Sequence, residues 1–326
     1  MLFSGAYVRV PTREPCERLP GALMRALSAT TVPGAVKPSE MPNGSTFVEM
    51  PVTPKRGGQI FGFDSRGIVR PRHHHDELEF NLGTRGVARF AVGTRRILVH
   101  PGTLLWFLPG QDHLLEAASP DFQMWIAAFK PWFVEAQQRS ARSGALPTVA
   151  DQVREVDADV CDQLSEICRT AFAGPYEAER DELLLRLLRL ALSAGRASQS
   201  QRASVHVAVQ KSLRHLLLDP RLGREELARR AGLGPEALSR KFADELGISL
   251  PEYRNRLRLG RFLRAIDEGR NNLLSAALDA GFGSYSQCHR ILKEQTGDSP
   301  SAFASLEVRR AAMRRSIPLG ERIQLI

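Results

Sequence analysis

Cysteine is scarce in this chain: four in 326 residues, Cys16, Cys161, Cys168 and Cys288, with no CxxC pair and no regular spacing. That excludes a zinc knuckle and leaves no disulfide framework on which a small secreted fold could be stapled. Long apolar runs are missing too. A membrane-spanning helix needs about 18 uninterrupted apolar residues, and the best candidate, LLLRLLRLALSAG at 183–195, is broken by Arg186 and Arg189. The N-terminal MLFSGAYVRVPTREPCERLPG carries charges and prolines where a signal peptide needs a continuous apolar core. Neither a membrane partner nor export is expected, and a reducing cytoplasm is the natural compartment.

Acidic balance is what the C-terminal third lacks. The formal net charge is +9. Residues 201–316 hold 21 Lys+Arg against 13 Asp+Glu, a net of +8, so nearly all of the excess sits there. So uneven an excess fits a polyanionic partner better than general surface solvation. What is present in quantity is apolar material: 43% of residues, enough for real cores and against a disordered chain. The length favours two domains.

Texture divides the chain further. Residues 1–55 are rich in Pro, Gly, Ser and Thr without periodicity and read as a poorly ordered arm, within which Met41 or Met50 is an alternative start. Residues 56–135 carry short β-branched and aromatic segments between turn signals: QIFGF, ELEFNLG, VARFAVG, RRILVH, TLLWFLPG and FQMWIAAF. These read as strands of a small β-sandwich or barrel. Residues 151–196 turn helical, with Val153, Val156, Val160, Leu164, Ile167 and Cys168, then Leu183, Leu184, Leu187, Leu188 and Leu190 at helical spacings. The leucine stripe either packs on its own sheet or forms a dimer helix. A small-residue linker follows at 197–204.

Beyond the linker one unit occurs twice. GLGPEALSRKFADELGISLPEY and GFGSYSQCHRILKEQTGDSPSAF align Gly232 with Gly281, Leu238 with Cys288, Arg240 with Arg290, Phe242 with Leu292 and Gly247 with Gly297. Each copy has the parts of a helix-turn-helix: a support helix, a glycine turn, an apolar plug (Leu233 or Phe282) and a second helix. Glu236, Ala237, Arg240 and Lys241 face outward on one second helix, and Tyr285, Ser286, Gln287, His289, Arg290 and Lys293 on the other. Arginine can read guanine bidentately and glutamine adenine. Any one of these residues is more simply a solvated surface group, but two matching faces in the basic third of the chain point to double-stranded DNA. Between them 251–269 reads as a spacer helix with Tyr253, Leu257, Phe262 and Ile266 inward and Arg254, Arg258 and Arg261 outward.

Residues 205–304 resemble the DNA-binding domain of the AraC/XylS family of bacterial transcriptional regulators over nearly its whole length. By that resemblance, base contact falls to Glu236, Ala237 and Arg240 and to Tyr285, Ser286, Gln287 and Arg290. Cys288 and Leu292 depart from the family pattern, which usually has Phe there, and Gly234 stands where a serine cap is usual. Residues 305–326 form a tail. The resemblance also implies a homodimer and RNA polymerase as partners.

GIVRPRHHHDELEFNLGTRG at 67–86 places Gly67, His73, His75, Glu79 and Gly86 at the spacing of the first cupin motif. GTLLWFLPGQDH at 102–113 places Gly102, Gly110 and His113 as in the second, with Pro109 one position late. The domain is therefore similar to the cupin-like effector-binding half of the same regulators. The whole chain is expected to be α+β: an N-terminal cupin-like β-barrel, then helices, then an all-α domain with two helix-turn-helix motifs. His73, His75, Glu79 and His113 suit a divalent metal, iron, manganese or zinc. They equally suit a metal-free polar pocket for a small-molecule effector. A metal-dependent cupin enzyme fused to a DNA-binding module is the alternative function.

Overall fold

The six apolar stretches form strands in the structure, a computed structural model that describes residues 46–47, 56–64, 72–139, 145–173, 177–198, 205–270, 272–303 and 305. Most of the expected arm, with Met41 and Met50, lies outside the described residues. So do Gly67, the linker from 199 to 204 and the tail from 306 onward. One sheet has the order β1-β3-β8-β5-β6, built from Thr46–Phe47, His73–His74, Ala88–Val92, Arg95–Val99 and His113–Ala118 (β1, β3, β5, β6 and β8). The other has the order β11-β10-β7-β4-β9-β2, from Gly58–Asp64, Leu78–Arg85, Thr103–Phe107, Gln123–Phe129, Val153–Glu155 and Arg196–Ala197 (β2, β4, β7, β9, β10 and β11). The two sheets form a sandwich, and no closed barrel occurs among the described residues.

The second sheet is buried on both faces, which is why TLLWF and MWIAAF are apolar throughout rather than alternating. One face, with Phe61, Leu105, Phe107 and Ile126, packs toward the first sheet and its Phe90, Ile97 and Leu115. The other, with Phe80, Leu104, Trp106 and Trp125, is covered by helices α2 (Ala158–Phe172) and α3 (Glu177–Ser193) through Leu164, Ile167, Leu184, Leu187 and Leu188. The leucine stripe thus packs largely on its own sheet. Val153 departs from the helical reading: it pairs with Leu105 in β10, and α2 starts only at Ala158, capped by Asp157. The linker is likewise entered by a strand, since Arg196 and Ala197 pair with β10. A short helix absent from the sequence reading, α1 (Pro131–Gln138), leaves β9.

The helical half runs through α4 (Val207–Leu218), α5 (Arg224–Ala231), α6 (Pro235–Leu246), α7 (Leu250–Asp267), α8 (Leu273–Asp279), α9 (Tyr285–Thr296) and α10 (Pro300–Phe303). Its first part shares one continuous apolar cluster with the sandwich, from Trp106 and Leu187 through Val209 and Leu216 to Phe242 and Leu257. Cys161 is engaged in a disulfide, which the irregular cysteine spacing does not suggest, while Cys168 and Cys288 are buried free thiols. No described helix is long and apolar enough to cross a membrane.

Candidate nucleic-acid interface and sensor cavities

In the first repeat α5 ends at Gly232, whose φ of 76° is left-handed and suits glycine. Leu233 then returns its N–H to Ala228 O at 3.0 Å, closing the turn. Leu227, Ala228, Leu238 and Phe242 are fully buried where α5 and α6 cross. Neither helix has a side-chain cap, since Gly223 and Gly234 occupy the N-cap positions; Pro235 starts α6 with no N–H to satisfy. On the open side Glu236 and Arg240 are exposed and Ala237 and Lys241 half-buried. Glu236 faces Arg224 at 3.5 Å. Arg240 makes no hydrogen bond or ion pair among the described residues.

The second repeat has the same plan with different fastenings. Gly281 makes the turn at φ 98°, and Phe282 N–H bonds Ala277 O at 3.1 Å. Asn272 caps α8 and Ser284 caps α9, each side chain accepting from the backbone three residues on at 3.1 Å. Gln287 turns its Oε1 back to accept from Gly283 N at 2.8 Å. That is a capping box shifted by one residue, to the N–H before the N-cap, so the glutamine offered to adenine is engaged in holding its own helix end. Ser286 and Arg290 are exposed and Tyr285 half-buried; Arg290 lies 2.9 Å from Glu294. Cys288 and Leu292, the departures from the family pattern, are both fully buried and fill the module's core.

Between the repeats, α7 corrects the sequence reading. Arg254, Arg258 and Arg261 do not point to open solvent. They donate to the carbonyls of Leu222, Pro220 and Leu218 at 2.9, 3.1 and 2.6 Å, tying α7 to the end of α4 and the loop after it. Burial pulls the Arg258 guanidinium down to about 10. On its other side α7 meets the sandwich: Tyr253 Oη donates to Pro109 O at 2.9 Å, and buried Arg256 pairs with Asp112 at 2.8 Å while bonding Gly110 O at 3.2 Å. The β5–β6 turn touches the end of α6, where Thr94 Oγ1 donates to Glu245 O at 3.1 Å.

The histidines come together inside the sandwich. β3 pairs with β8 so that His73 is opposite His113, with ring centroids 4.2 Å apart. His75 Nε2 lies 3.1 Å from Glu79 Oε2, and Phe107 stacks on His113 at 4.0 Å. Burial pulls the His75 imidazole down, but the Glu79 and Glu77 carboxylates outweigh it and raise it. Burial, reinforced by the neighbouring imidazoles, holds His113 well below the usual range. Burial pushes Glu79 up, but its bonds to His75 and Asn81 win and lower it. Donor atoms of His75, Glu79 and His113 all lie within 4.8 Å of one another; His73 stands beside them. The space lined by His73, Glu79 and His113 measures only about 30 Å³, room for an ion or a water and not for an organic molecule.

The comparisons agree with this division. The model of a helix-turn-helix domain family matches residues 227–305, and that of the AraC-like ligand-binding domain family matches residues 58–188. This chain belongs to the AraC/XylS family of transcriptional regulators. It is 27% identical over 235 residues to the arabinose operon regulatory protein of Salmonella typhimurium, covering 68% of this chain and 82% of that protein. An HTH-type transcriptional regulator of Mycobacterium tuberculosis is 31% identical over 78 residues, 24% of this chain, and the match spans only 30% of that protein. ToxT from Vibrio cholerae superposes with a TM-score of 0.40 at 11% identity, over 76% of this chain and 97% of that one. The AraC-type chain is thus a DNA-binding regulator with a ligand-binding domain, and the family matches give the cupin-enzyme alternative no support.

Two spaces lie where the halves of this AraC-type regulator meet. One of about 630 Å³ runs between α1, the end of α4 and the far end of α7, over Leu78, Val134, Leu217 and Ala265. Another of about 300 Å³ lies between the β3–β4 turn, the start of α1 and α7. There, burial and the adjacent Glu77 push the Asp76 carboxyl up to about 7. No sequence motif marks either space, because each is assembled from segments far apart in the chain.

Proposed function

We propose that the chain reads a two-part operator through α6 and α9, with Arg240 as the main base-reading side chain. Glu236, Ala237 and Lys241 assist it in the first block, and Tyr285, Ser286 and Arg290 read the second. Gln287 contributes through its helix end. The carrying observation is the pair of helices of equal length, Pro235–Leu246 and Tyr285–Thr296, each ended by a left-handed glycine and joined by one tied-down spacer. The 18 residues of α7 span about 27 Å at about 1.5 Å per residue. That separation suits two major-groove contacts roughly one DNA turn apart on one face. Selection of bound sequences from a random duplex pool at physiological salt tests this. Two short conserved blocks about one helical turn apart are expected; salt-sensitive binding without an enriched sequence would overturn it.

The ligand-binding domain makes a small-molecule effector the natural input, and the interior of about 30 Å³ moves that effector's place to the spaces between the halves. The histidine site itself supports a second element, a single divalent ion of iron, manganese or zinc. His75, Glu79 and His113 would hold it, with His73 alongside. Their chemistry fits: His75 Nε2 and Glu79 Oε2 face each other at 3.1 Å inside the sandwich, and His113 uses Nδ1 on Gln111 O at 3.0 Å, which leaves Nε2 for a ligand role. A bound ion would supply a fixed positive charge among groups packed out of water. Elemental analysis of the purified protein should find near-stoichiometric metal that His75→Ala removes, and metal-free wild type would end this reading. A homodimer and contact with RNA polymerase complete the proposal; α3 offers only the half-buried Leu183, Leu185 and Leu190 to a second copy.

A further inference from the structure

The two helix-turn-helix modules keep separate cores. Spacer α7 contributes Tyr253 and Leu257 to the cluster of the first, and Leu259 and Phe262 to that of the second. Their turn glycines stand in different surroundings. At Gly232, the turn of the first module, nothing among the described residues lies within 4 Å of where a Cβ would stand. At Gly281, its counterpart, a Cβ would lie 2.5 Å from Cγ of Arg221, and 3.5 Å from both Cβ of Arg221 and Nε of Arg258. The left-handed turn by itself favours glycine at both positions, so the close approach at Gly281 is a second and separate demand.

Arg221 belongs to the loop that leads into the first module, and that loop is firmly held. Asp219, the C-cap of α4, accepts from the Arg221 backbone N–H at 3.1 Å and from its Nε at 2.9 Å. Arg258, beside Gly281, donates to Pro220 O, while Arg254 and Arg261 fasten Leu222 and Leu218. Helix α4 itself joins, through Val209 and Leu216, the cluster shared with the sandwich. The guanidinium of Arg221 is thus turned to its own loop while the aliphatic stem presses on the turn of the second module. Asp219 first, and Asp279 of α8 after it, favour its charged form; attraction between such exposed groups is screened by salt, whereas contact of the stem is not. The end of α4 and Asp279–Ala280 also line the cavity of about 630 Å³. The modules are therefore not packed continuously here, and the contact between Arg221 and Gly281 is local.

We propose that Arg221 is a positioning residue: its stem, wedged against Gly281, fixes the second module relative to the first and so sets which separation of two operator blocks the protein accepts. This rests on the reading of α6 and α9 as contacts to a two-part operator. One added base pair moves the second block about 3.4 Å along the duplex and about a tenth of a turn around it. A rigid pair of modules cannot follow both displacements, because packed contacts resist compression; a pair hinged on α7 follows them at lower cost. With the stem removed, α7 and Phe47 of β1 still complete the second core, so the module stays folded and gains freedom to rock.

The test is a binding series on the full-length protein, using the selected operator and two versions with the blocks one base pair closer or further apart. Wild type is expected to bind the altered duplexes about tenfold or more weakly. Arg221→Ala should keep the wild-type melting curve, because the side chain is 62% exposed, and should lower that preference to about threefold or less. Arg221→Met, which keeps the stem and loses the charge, should retain the wild-type preference. A guanidinium that only gripped phosphate would weaken all three duplexes alike in both variants. That result, an unchanged preference in Arg221→Ala, or a wild type that accepts all three spacings equally would overturn the proposal. Two-block selection by wild type without a response to Arg221→Ala sinks the spacing role alone, whereas selection of no two-block site sinks the operator reading and the spacing role with it.

Discussion

The two helix-turn-helix modules solve the same problem with opposite means. The first has bare glycines at both N-caps and relies on burial: Leu227, Leu238 and Phe242 join the cluster that runs into the sandwich, and three arginines of α7 fasten the loop before α5. The second is capped at both helices, by Asn272 and by Ser284 with Gln287. Its smaller, separate core is completed by Phe47 from outside the domain, and Leu274 and Leu278 remain about half exposed. Tertiary packing can replace a cap, and local capping can compensate for a thin core. Helix α6 is therefore positioned by the sandwich, and α9 mostly by its own neighbours in sequence.

Core truncation should separate the modules most. Phe242→Ala removes a fully buried ring and should cost about 3–5 kcal/mol in urea denaturation. Cys288→Ala in the second core should cost about 1 kcal/mol, close to the loss of one buried methylene-sized group; equal losses would break the contrast. Next comes Asp112→Ala, which leaves buried Arg256 with Glu252 as its remaining carboxylate partner among the described residues and should cost about 2 kcal/mol. Hydrogen exchange should then speed up in α6 and α7 more than in α9, and uniform loosening would show that both modules depend on the sandwich. In DNA binding, Arg240→Ala should lose about 1–3 kcal/mol and relax preference at one position. Arg290→Ala should lose less, since Glu294 already competes for that guanidinium, and Lys293→Ala should weaken all sequences alike. The smallest effects are at the caps: Ser284→Ala should cost about 1 kcal/mol and Gly234→Ser should gain a few tenths, both read as shifts in midpoint.

Much of this was legible in the residues. The repeat could be read because its glycines and plugs carry backbone and packing demands that few other residues meet. The six main strands could be read because β-branched and aromatic runs between turns have few other uses. The histidines read as one strand face with Glu79, but the structure divides them between β3 and β4; most of β8 escaped because HLLEAA has no β-branched residue, and β10 because Val153, Val156 and Val160 imitate helical spacing. Polarity rules put Arg254, Arg258 and Arg261 in solvent; polarity does not distinguish water from a neighbouring carbonyl as a hydrogen-bond acceptor. The role of Gln287 was within reach, since Ser284 followed three residues later by Gln287 is a capping-box signature. The histidine cluster was visible as a motif, whereas the interdomain cavities depend on contacts between distant segments that no local pattern encodes.

The ion pair between Asp112 and Arg256 sits beside His113 in the chain and reaches the helix that joins the two helix-turn-helix modules. Its consequence is one of inheritance: the two halves of this protein are not freely interchangeable parts. A hybrid that grafts these helix-turn-helix modules onto another sensor would leave the Arg256 guanidinium with only Glu252 of its own helix unless an acid is transplanted with them. Lineages that shuffle such domains would be expected to exchange the acid and the base together, or to lose both.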